Sequence, residues 1–490
     1  MSSWARHLVA LPVLLLSACT LEPRYVRPDP AIATAYPQGK AYGSNRAYGS
    51  SADLTGPGQL DAAALGWRDF LTDPRLQQLV EIALRNNRDL RIAVLTVQEQ
   101  RAALRIQTST LFPQISATAS RSRSRTPADL SRTGEVETAS TDWVGASLGW
   151  EIDLFGKLRS LRGAALQQYL ASVEGRKAVE LLLVAQVADQ YLAVLACNDL
   201  LEVTGRTLDA ALASFDLVKL QFDVGAGSEL GLRQAETVVE LAKANRAAQL
   251  RALAMAENGL VQLIGQPLPA DLQAGRRLTE QNLLEDLPEG LPSQLLSRRP
   301  DVLQAEALVR AANADIGAAR AAFFPAIDLT GTGGTASARL NGLFDAGSLA
   351  WTLAPSLAMP LFDAGANRAN LRATRARMQI AIAQYQKTVQ AAFREVADGL
   401  AARGTFSEQI AALERFTLAQ RRRLELAELL YKNGESDYLD VLTAQTDLYD
   451  AEQVLVSARL QRLTTLVDLY RALGGGWLEN SGERRPDPVP

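Results

Sequence analysis

This chain of 490 residues contains one segment twice, as FDVGAGSELGLRQAET at residues 222–237 and as YKNGESDYLDVLTAQT at residues 431–446. Each copy has an aromatic residue, a glycine three positions later and an Ala-Glu-Thr or Ala-Gln-Thr ending. Gly225 and Gly434 hold the same place and lie 434 − 225 = 209 residues apart. Because glycine accepts the positive φ that ends a helix, each copy predicts a tight turn between two helices.

A second pair of matching segments precedes these turns. Asp89 lies 24 residues before Pro113, and Asp301 lies 24 residues before Pro325, an offset of 301 − 89 = 212. A repeat this long with only two copies predicts a duplicated half-domain, not a solenoid. We place the two repeats at residues 73–290 and 291–477, followed by a tail at 478–490.

The N-terminus has the pattern of a bacterial lipoprotein signal. A basic start and an apolar run are followed by Leu16-Ser17-Ala18-Cys19. This pattern predicts that residues 1–18 are removed, that Cys19 carries a covalent lipid, and that residues 19–72 form an arm beyond it. The alternative is an ordinary signal peptide with an incidental cysteine.

The rest of the composition excludes several classes of site. Removal of the signal takes away His7, the only histidine, and leaves Cys197 as the only cysteine besides Cys19. The mature chain is therefore expected to have no catalytic histidine, no intrachain disulfide, no metal and no cofactor besides the lipid on Cys19. A formal charge of −3 does not favour nucleic acid as a partner.

Periodicity predicts a mixed, mainly α chain. Residues 158–224 and 366–431 contain no proline and read as helices roughly 100 Å long if continuous. Residues 113–155 and 325–362 have the two-residue alternation of strand hairpins, with one apolar face and one small or polar face. We expect helical hairpins with tips near residues 225 and 434.

The strands suggest how such a chain could cross a membrane. The most apolar helical stretch, residues 178–196, contains Glu180 and Asp189, so we expect no transmembrane helix. A closed barrel is the remaining way to span a bilayer, and four strands cannot close one, whereas three protomers supply twelve. The alternative is a soluble protein whose sheet covers a helical core.

Several motifs, in order along the whole chain, resemble one family. They are Pro23-Arg24-Tyr25-Val26-Arg27-Pro28, Asn86-Asn87-Arg88-Asp89-Leu90, Arg298-Arg299-Pro300-Asp301, residues 318–325 (AARAAFFP) and residues 472–477 (ALGGGW). Together with Cys19, they resemble the outer-membrane factors of the TolC and OprM type, nearest to the lipoprotein branch. The resemblance implies a homotrimer with a 12-stranded outer-membrane barrel and a periplasmic helical barrel.

The resemblance also assigns site residues. It implies a periplasmic gate at Leu439 and Asp440, and tips that contact a periplasmic adaptor protein at residues including Phe222, Gly225, Tyr431, Gly434 and Tyr438. The alternative for Asp440 is a solvated acid that favours the start of its helix. The family acid one turn later is Thr443 here, and the aspartate of the first turn is Gly231, so the links that close the tip differ.

The implied function is a passive exit duct of a tripartite multidrug efflux pump, lipid-anchored in the outer membrane and coupled through the adaptor to an inner-membrane transporter of the resistance-nodulation-division (RND) class. One alternative is a conduit for type I protein secretion, and another is a structural periplasmic lipoprotein. An enzyme is disfavoured, because the glycine-rich residues 331–336 lack the helix that a nucleotide site requires.

Overall fold

The computed structural model describes residues 20–42, 65–284, 287 and 292–481. The signal segment 1–18, Cys19, and the last part of the tail, residues 482–490, lie outside the described residues. The chain divides into two compact units, each discontinuous in sequence. One contains Thr96–Val173, Gln304–Gln386 and the described part of Met1–Asp29; the other contains Glu174–Leu303, Lys387–Pro490 and Pro30–Leu95 as far as they are described. Each unit therefore takes segments from both repeats.

Helices make up most of the fold. The nine α-helices of the described residues are α1 Trp67–Phe70, α2 Pro74–Asn86, α3 Arg88–Ser109, α4 Lys157–Asp223, α5 Glu229–Ile264, α6 Pro292–Arg298, α7 Pro300–Ala321, α8 Ala366–Lys432 and α9 Tyr438–Ala472. Short 3₁₀ turns lie at Lys40–Tyr42, Leu278–Glu280 and Leu340–Gly342. Helices α4 and α8 each have 67 residues, about 100 Å at about 1.5 Å per residue. The mainly α prediction is confirmed.

Four strands form one antiparallel sheet in sequence order, β1 Gln114–Thr126, β2 Glu137–Ile152, β3 Ala326–Ser337 and β4 Leu349–Ala358. The pairing of β2 with β3 joins the two repeats edge to edge. In register, one face gathers Ile115, Val144, Leu148, Trp150, Ile327, Leu329, Leu349, Trp351, Leu353 and Leu357. The other gathers Ser116, Ser147, Thr330, Thr332, Thr352 and Ser356. The predicted alternation of faces is thus present.

The two repeats anchor their helices through matching contacts. The Asn87 side chain donates to the carbonyl of Leu263 at the end of α5, at 2.9 Å. Arg299, 212 residues after Asn87, donates to the carbonyl of Ala472 at the end of α9, at 3.0 Å. Arg299 is buried and also forms ion pairs with Asp301 and Glu395. The duplicated motifs before α3 and α7 therefore hold the ends of the returning helices.

The core of the unit that contains α5 and α9 is a continuous apolar cluster. Tyr191, Phe70, Leu79, Ile264 and Leu469 are fully buried in it. Helix α4 contributes its most apolar stretch, and this corrects one expectation: by length and composition, α4 has a window apolar enough to cross a membrane. Half of that window is buried inside the protein, and Leu183, Val184 and Val187 of α4 belong to the apolar cluster.

In the unit that contains the sheet, the arm is fixed to α7 by a buried carboxylate. Glu306 accepts hydrogen bonds from the Tyr25 hydroxyl at 3.1 Å, from Arg27 Nε at 3.1 Å and from Arg310 at 2.7 Å. Burial raises the pKa of Glu306, but the hydrogen bonds and charges of Arg27 and Arg310 outweigh it and hold the pKa below its usual value. Asn313 donates to the carbonyl of Pro23 at 2.8 Å. The arm motif is thus part of the folded structure.

Candidate functional site: the turns of the helical hairpins

The α4–α5 and α8–α9 turns have the same backbone. At the first, Gly225 N–H donates to the Phe222 carbonyl at 2.9 Å and Ala226 N–H to the Gln221 carbonyl at 2.8 Å. At the second, Gly434 N–H donates to the Tyr431 carbonyl at 3.0 Å and Glu435 N–H to the Leu430 carbonyl at 2.9 Å. This is the Schellman pattern, which needs a left-handed residue after the helix. Gly225 and Gly434 supply it, with φ of +76° and +74°.

An apolar cluster behind the turns joins the two hairpins. Its buried members are Val218, Ala235, Ala427, Tyr438, Val441, Leu442 and Ala444, from α4, α5, α8 and α9. Partly buried Phe215, Leu232, Val238, Leu424 and Tyr431 pack against it. We call this set the tip cluster. Because it draws on both repeats, the two turns lie beside each other in one packed end.

Two tyrosines of the second turn bind polar groups of the first hairpin. The Tyr438 hydroxyl lies 2.8 Å from the Ser214 hydroxyl oxygen, and the Tyr431 hydroxyl donates to Gln221 Oε1 at 2.6 Å. The two rings are 5.2 Å apart and tilted by 50°. Burial is the main cause that raises the pKa of Tyr438 above its ordinary value. Of the predicted adaptor contacts, Tyr438 is therefore buried in the tip cluster, whereas Phe222 is 38% exposed.

Leu439 and Asp440 lie on the opposite face of the same helix. Leu439 is 57% exposed, Asp440 is exposed, and one turn further Thr443 is also exposed. The Thr443 hydroxyl donates to the Leu439 carbonyl at 2.8 Å, so it is used within its own helix. The first turn of α9 thus presents a bulky apolar side chain and a carboxylate together, away from the tip cluster.

The first hairpin has a counterpart of Leu439 that the sequence interpretation missed. Leu230 lies at 439 − 209 = 230, in the first turn of α5, and is 69% exposed. Gly231 stands where the second repeat has Asp440, and its N–H binds the Ser228 hydroxyl at 3.1 Å. The 209-residue offset could have identified Leu230. Glu229 pairs with Arg233 at 3.6 Å, within α5.

Ion pairs connect the long helices further from the turns, and no motif in the sequence indicates them. Glu452 on α9 accepts from Arg421 on α8 at 2.7 Å and from Arg206 on α4 at 3.4 Å. Arg423 pairs with Asp447 across the same two helices of the second repeat. Within the part of the chain that the structure describes, no group of three or more acidic, cysteine or histidine side chains is placed to hold a metal.

The chain matches known proteins over nearly its whole length. The family profile for outer membrane efflux proteins matches residues 79–266 and 291–475. The probable efflux pump outer membrane protein TtgC of Pseudomonas putida is 43% identical over 478 residues, covering 97% of this chain and 96% of its own length. The outer membrane protein OprJ of Pseudomonas aeruginosa is 42% identical, covering 96% and 95%.

Among solved structures, the open state of the MtrE outer membrane channel of Neisseria gonorrhoeae superposes with a TM-score of 0.82. It is 39% identical and covers 95% of this chain and all of its own. The chain therefore belongs to the outer membrane efflux protein family, as the motifs predicted. It is an outer-membrane component of an efflux system, and its fold is that of an outer-membrane channel.

Proposed function

We propose that three copies of this chain form a passive exit duct for drugs and other small molecules, with its barrel in the outer membrane and its helices in the periplasm. The observation that carries the proposal is the four-stranded sheet. Its apolar side chains are exposed to an unusual degree, with Ile115, Leu349, Trp351 and Leu357 between 66 and 76% exposed. Three such sheets supply twelve strands, an even number in the range of outer-membrane barrels.

The sheet has dimensions that suit a bilayer. Leu349 and Leu357 bound the apolar run of β4, eight steps apart, or about 26 Å of strand at about 3.3 Å per residue. On the other face, Ser116 and Ser147 hydroxyl oxygens lie 2.7 Å apart across neighbouring strands. An apolar outside and a hydroxyl-lined inside support a water-filled pore.

We further propose that Leu439 and Asp440 form the periplasmic gate. Both side chains point away from the tip cluster, so a threefold arrangement can bring three copies of each toward one axis. Three leucines narrow an opening by bulk, and three carboxylates repel one another and attract cations. The alternative for Asp440, a helix-start acid that favours the helix dipole, is compatible with the same position.

Cys19 is proposed to carry the lipid anchor. The support is the lipoprotein-type signal and the arm that follows it, which Glu306 and Asn313 fix to α7. Because the barrel buries most of the apolar area, Cys19→Ser is expected to lose the acyl mass and keep the trimer. Intact-mass measurement of the native protein decides the point, and an unmodified Cys19 would overturn it.

The proposal includes no catalysis and no cofactor other than the lipid. Energy would come from an inner-membrane transporter of the RND class, and a periplasmic adaptor would bind the turns near Phe222, Gly225, Tyr431 and Gly434. The names of the relatives, TtgC among them, describe pump components and support this arrangement.

Reconstitution separates the candidate functions. Purified protein in planar bilayers should conduct ions, whereas a structural lipoprotein would give no conductance. Deletion of the gene in a host without redundant channels should raise sensitivity to several unrelated amphiphiles. Unchanged susceptibility together with loss of one secreted protein would favour type I secretion and contradict the efflux proposal.

A further inference from the structure

Strand β1 ends in an alternating run, Ser120-Arg121-Ser122-Arg123-Ser124-Arg125, next to the loop at residues 127–136. Successive side chains of a strand point to opposite faces, so the three arginines share one face and the three serines share the other. The arginines have the same parity as Ile115 and Ala119. They therefore stand on the apolar face of the sheet, not on the hydroxyl-lined face.

The register places the arginines directly beyond the apolar rows. Ala119, Val144, Thr335 and Leu349 lie side by side in one row across the sheet. The next row consists of Arg121, Asp142 and Ser337. The two rows after it pair Arg123 with Ser140, and Arg125 with Thr138. Apolar side chains thus give way to cations within a single row.

The cations on this face outnumber the acids. Arg121 Nε lies 3.3 Å from Asp142 Oδ1, and the Asp142 side chain is 4% exposed. In residues 20–42, 65–284, 287 and 292–481, no carboxylate forms an ion pair with Arg123 or Arg125, and both are exposed. These rows therefore carry one acid and three guanidinium groups.

Other charges near this end of the sheet lie off the face. The loop between β1 and β2 carries Asp129, Arg132 and Glu135, and the segment between β3 and β4 carries Arg339 and Asp345. Glu137 has the parity of the hydroxyl-lined face and accepts from the Thr133 hydroxyl at 2.7 Å. Among the strand residues at this end, the excess of positive charge is therefore confined to the apolar face.

We propose that Arg123 and Arg125, supported by Arg121, bind the phosphate groups of phosphorylated lipids in the outer leaflet. The proposal rests on the proposed function, which puts the apolar face against lipid. The strands join the helices at Gln114, Ile152, Ala326 and Ala358, within about seven residues of helix in each case, so the opposite end faces outward if the helices are periplasmic. The arginine rows then lie at the outer leaflet.

The geometry favours an amphiphile over a soluble anion. A ligand on these rows can place an acyl chain along Val144 and Leu349 and an anionic headgroup on Arg123 and Arg125. The arginine fork fits two phosphate oxygens at once, and its aliphatic stem can lie along neighbouring apolar surface. A free phosphate would contact only the arginines and leave the apolar surface along Val144 and Leu349 unused.

The test measures lipid binding to purified trimers by native mass spectrometry, with diphosphoryl lipid A and its dephosphorylated form as probes. Arg123→Gln with Arg125→Gln should weaken binding of the diphosphoryl probe roughly 25-fold, from about fivefold for each basic residue near an anionic membrane surface. The weakening should shrink as salt rises. Arg132→Gln, a loop arginine of the same end, should leave binding unchanged.

A second variant keeps the charge and moves it. In S122R/R123S/S124R/R125S, the total number of arginines is unchanged, but two of the three lie on the hydroxyl-lined face, so binding should fall as far as in the double glutamine variant. Wild-type affinity in this variant, equal weakening by Arg132→Gln, or equal affinity of the wild type for both probes would overturn the proposal. If the variant with the relocated arginines does not assemble, the comparison of Arg123→Gln/Arg125→Gln with Arg132→Gln still tests the proposal.

Conductance of the same preparations separates this proposal from the proposed function. Wild-type trimers that conduct and show no preference for the diphosphoryl probe refute lipid recognition alone. Wild-type protein that neither assembles into trimers nor conducts refutes the channel itself.

Discussion

At the first hairpin, the helix that returns from Gly225 begins with Glu229 and Arg233 in solvent, with side chains 70 and 64% exposed. At the second, the helix that returns from Gly434 begins with Tyr438 and Leu442 in the tip cluster. These residues occupy equivalent places, since 229 + 209 = 438 and 233 + 209 = 442. Duplication has kept the backbone of the turn and changed the side chains on it.

The two turns also differ in the side chains that they expose to solvent. With Tyr438 and Leu442 packed inward, the helical period leaves Leu439 and Asp440 on the outward face. In the first hairpin, Leu230 is exposed as well, but Gly231 supplies no charge beside it. A trimer would therefore have six turns of two kinds, of which three carry carboxylates.

The largest expected effect comes from removing the aromatic anchor of the second turn. Tyr438→Ala should lower the local unfolding free energy of residues 431–446 by about 3 kcal/mol, since a buried ring and its bond to Ser214 are lost. Hydrogen exchange of the amides in that segment measures it. Glu229 is the equivalent residue of the first repeat, and Glu229→Ala should produce no measurable change in hydrogen exchange. Equal effects of the two substitutions would contradict the difference between the two turns.

Glycine replacements test what the turns share. Gly225→Ala and Gly434→Ala should each cost about 1 kcal/mol, because a Cβ at either position meets nothing within 4 Å and only the positive φ opposes it. Gly265→Ala should cost more, since its Cβ would come within 2.6 Å of the Asn86 carbonyl oxygen. The unfolding temperatures of the three variants measure these losses of stability, and Gly265→Ala should have the lowest. A large difference between Gly225→Ala and Gly434→Ala would contradict the shared backbone.

The smallest effect is expected at the solvated start of α5. Arg233 forms ion pairs with Glu229 and Glu236, but exposed pairs within one helix contribute little and are screened by salt. Arg233→Ala should leave hydrogen exchange at the first turn unchanged at physiological salt. A clear loss of protection there would mean that the first hairpin also depends on its side chains.

The parts of the fold that depend on local sequence could be predicted. Gly225 and Gly434 marked the turns because positive φ selects glycine, and the alternation of residues 144–152 marked a strand with two unlike faces. The repeat offset places Leu230 in the position equivalent to Leu439, but no charged residue beside it marked the position as a candidate site. The contacts of Glu452 with Arg206 and Arg421 could not be predicted from the sequence, because they depend on how three helices far apart in sequence pack. Tyr438 was predicted as a contact residue, yet only the packing reveals that it is buried.

The central claim is that the second turn, through Leu439 and Asp440, forms the constriction of an efflux channel. The direct measurement is the single-channel conductance and cation selectivity of trimers in planar bilayers, from low to high salt. Leu439→Ala with Asp440→Ala should raise conductance, and Asp440→Ala alone should lower cation selectivity, most strongly at low salt, because screening acts over about 10 Å at 0.1 M salt. Leu230→Ala and Glu435→Ala should do much less. A double variant that conducts and selects like the parent across that range would contradict the claim and move the constriction elsewhere, to Thr443 or the residues near Glu229.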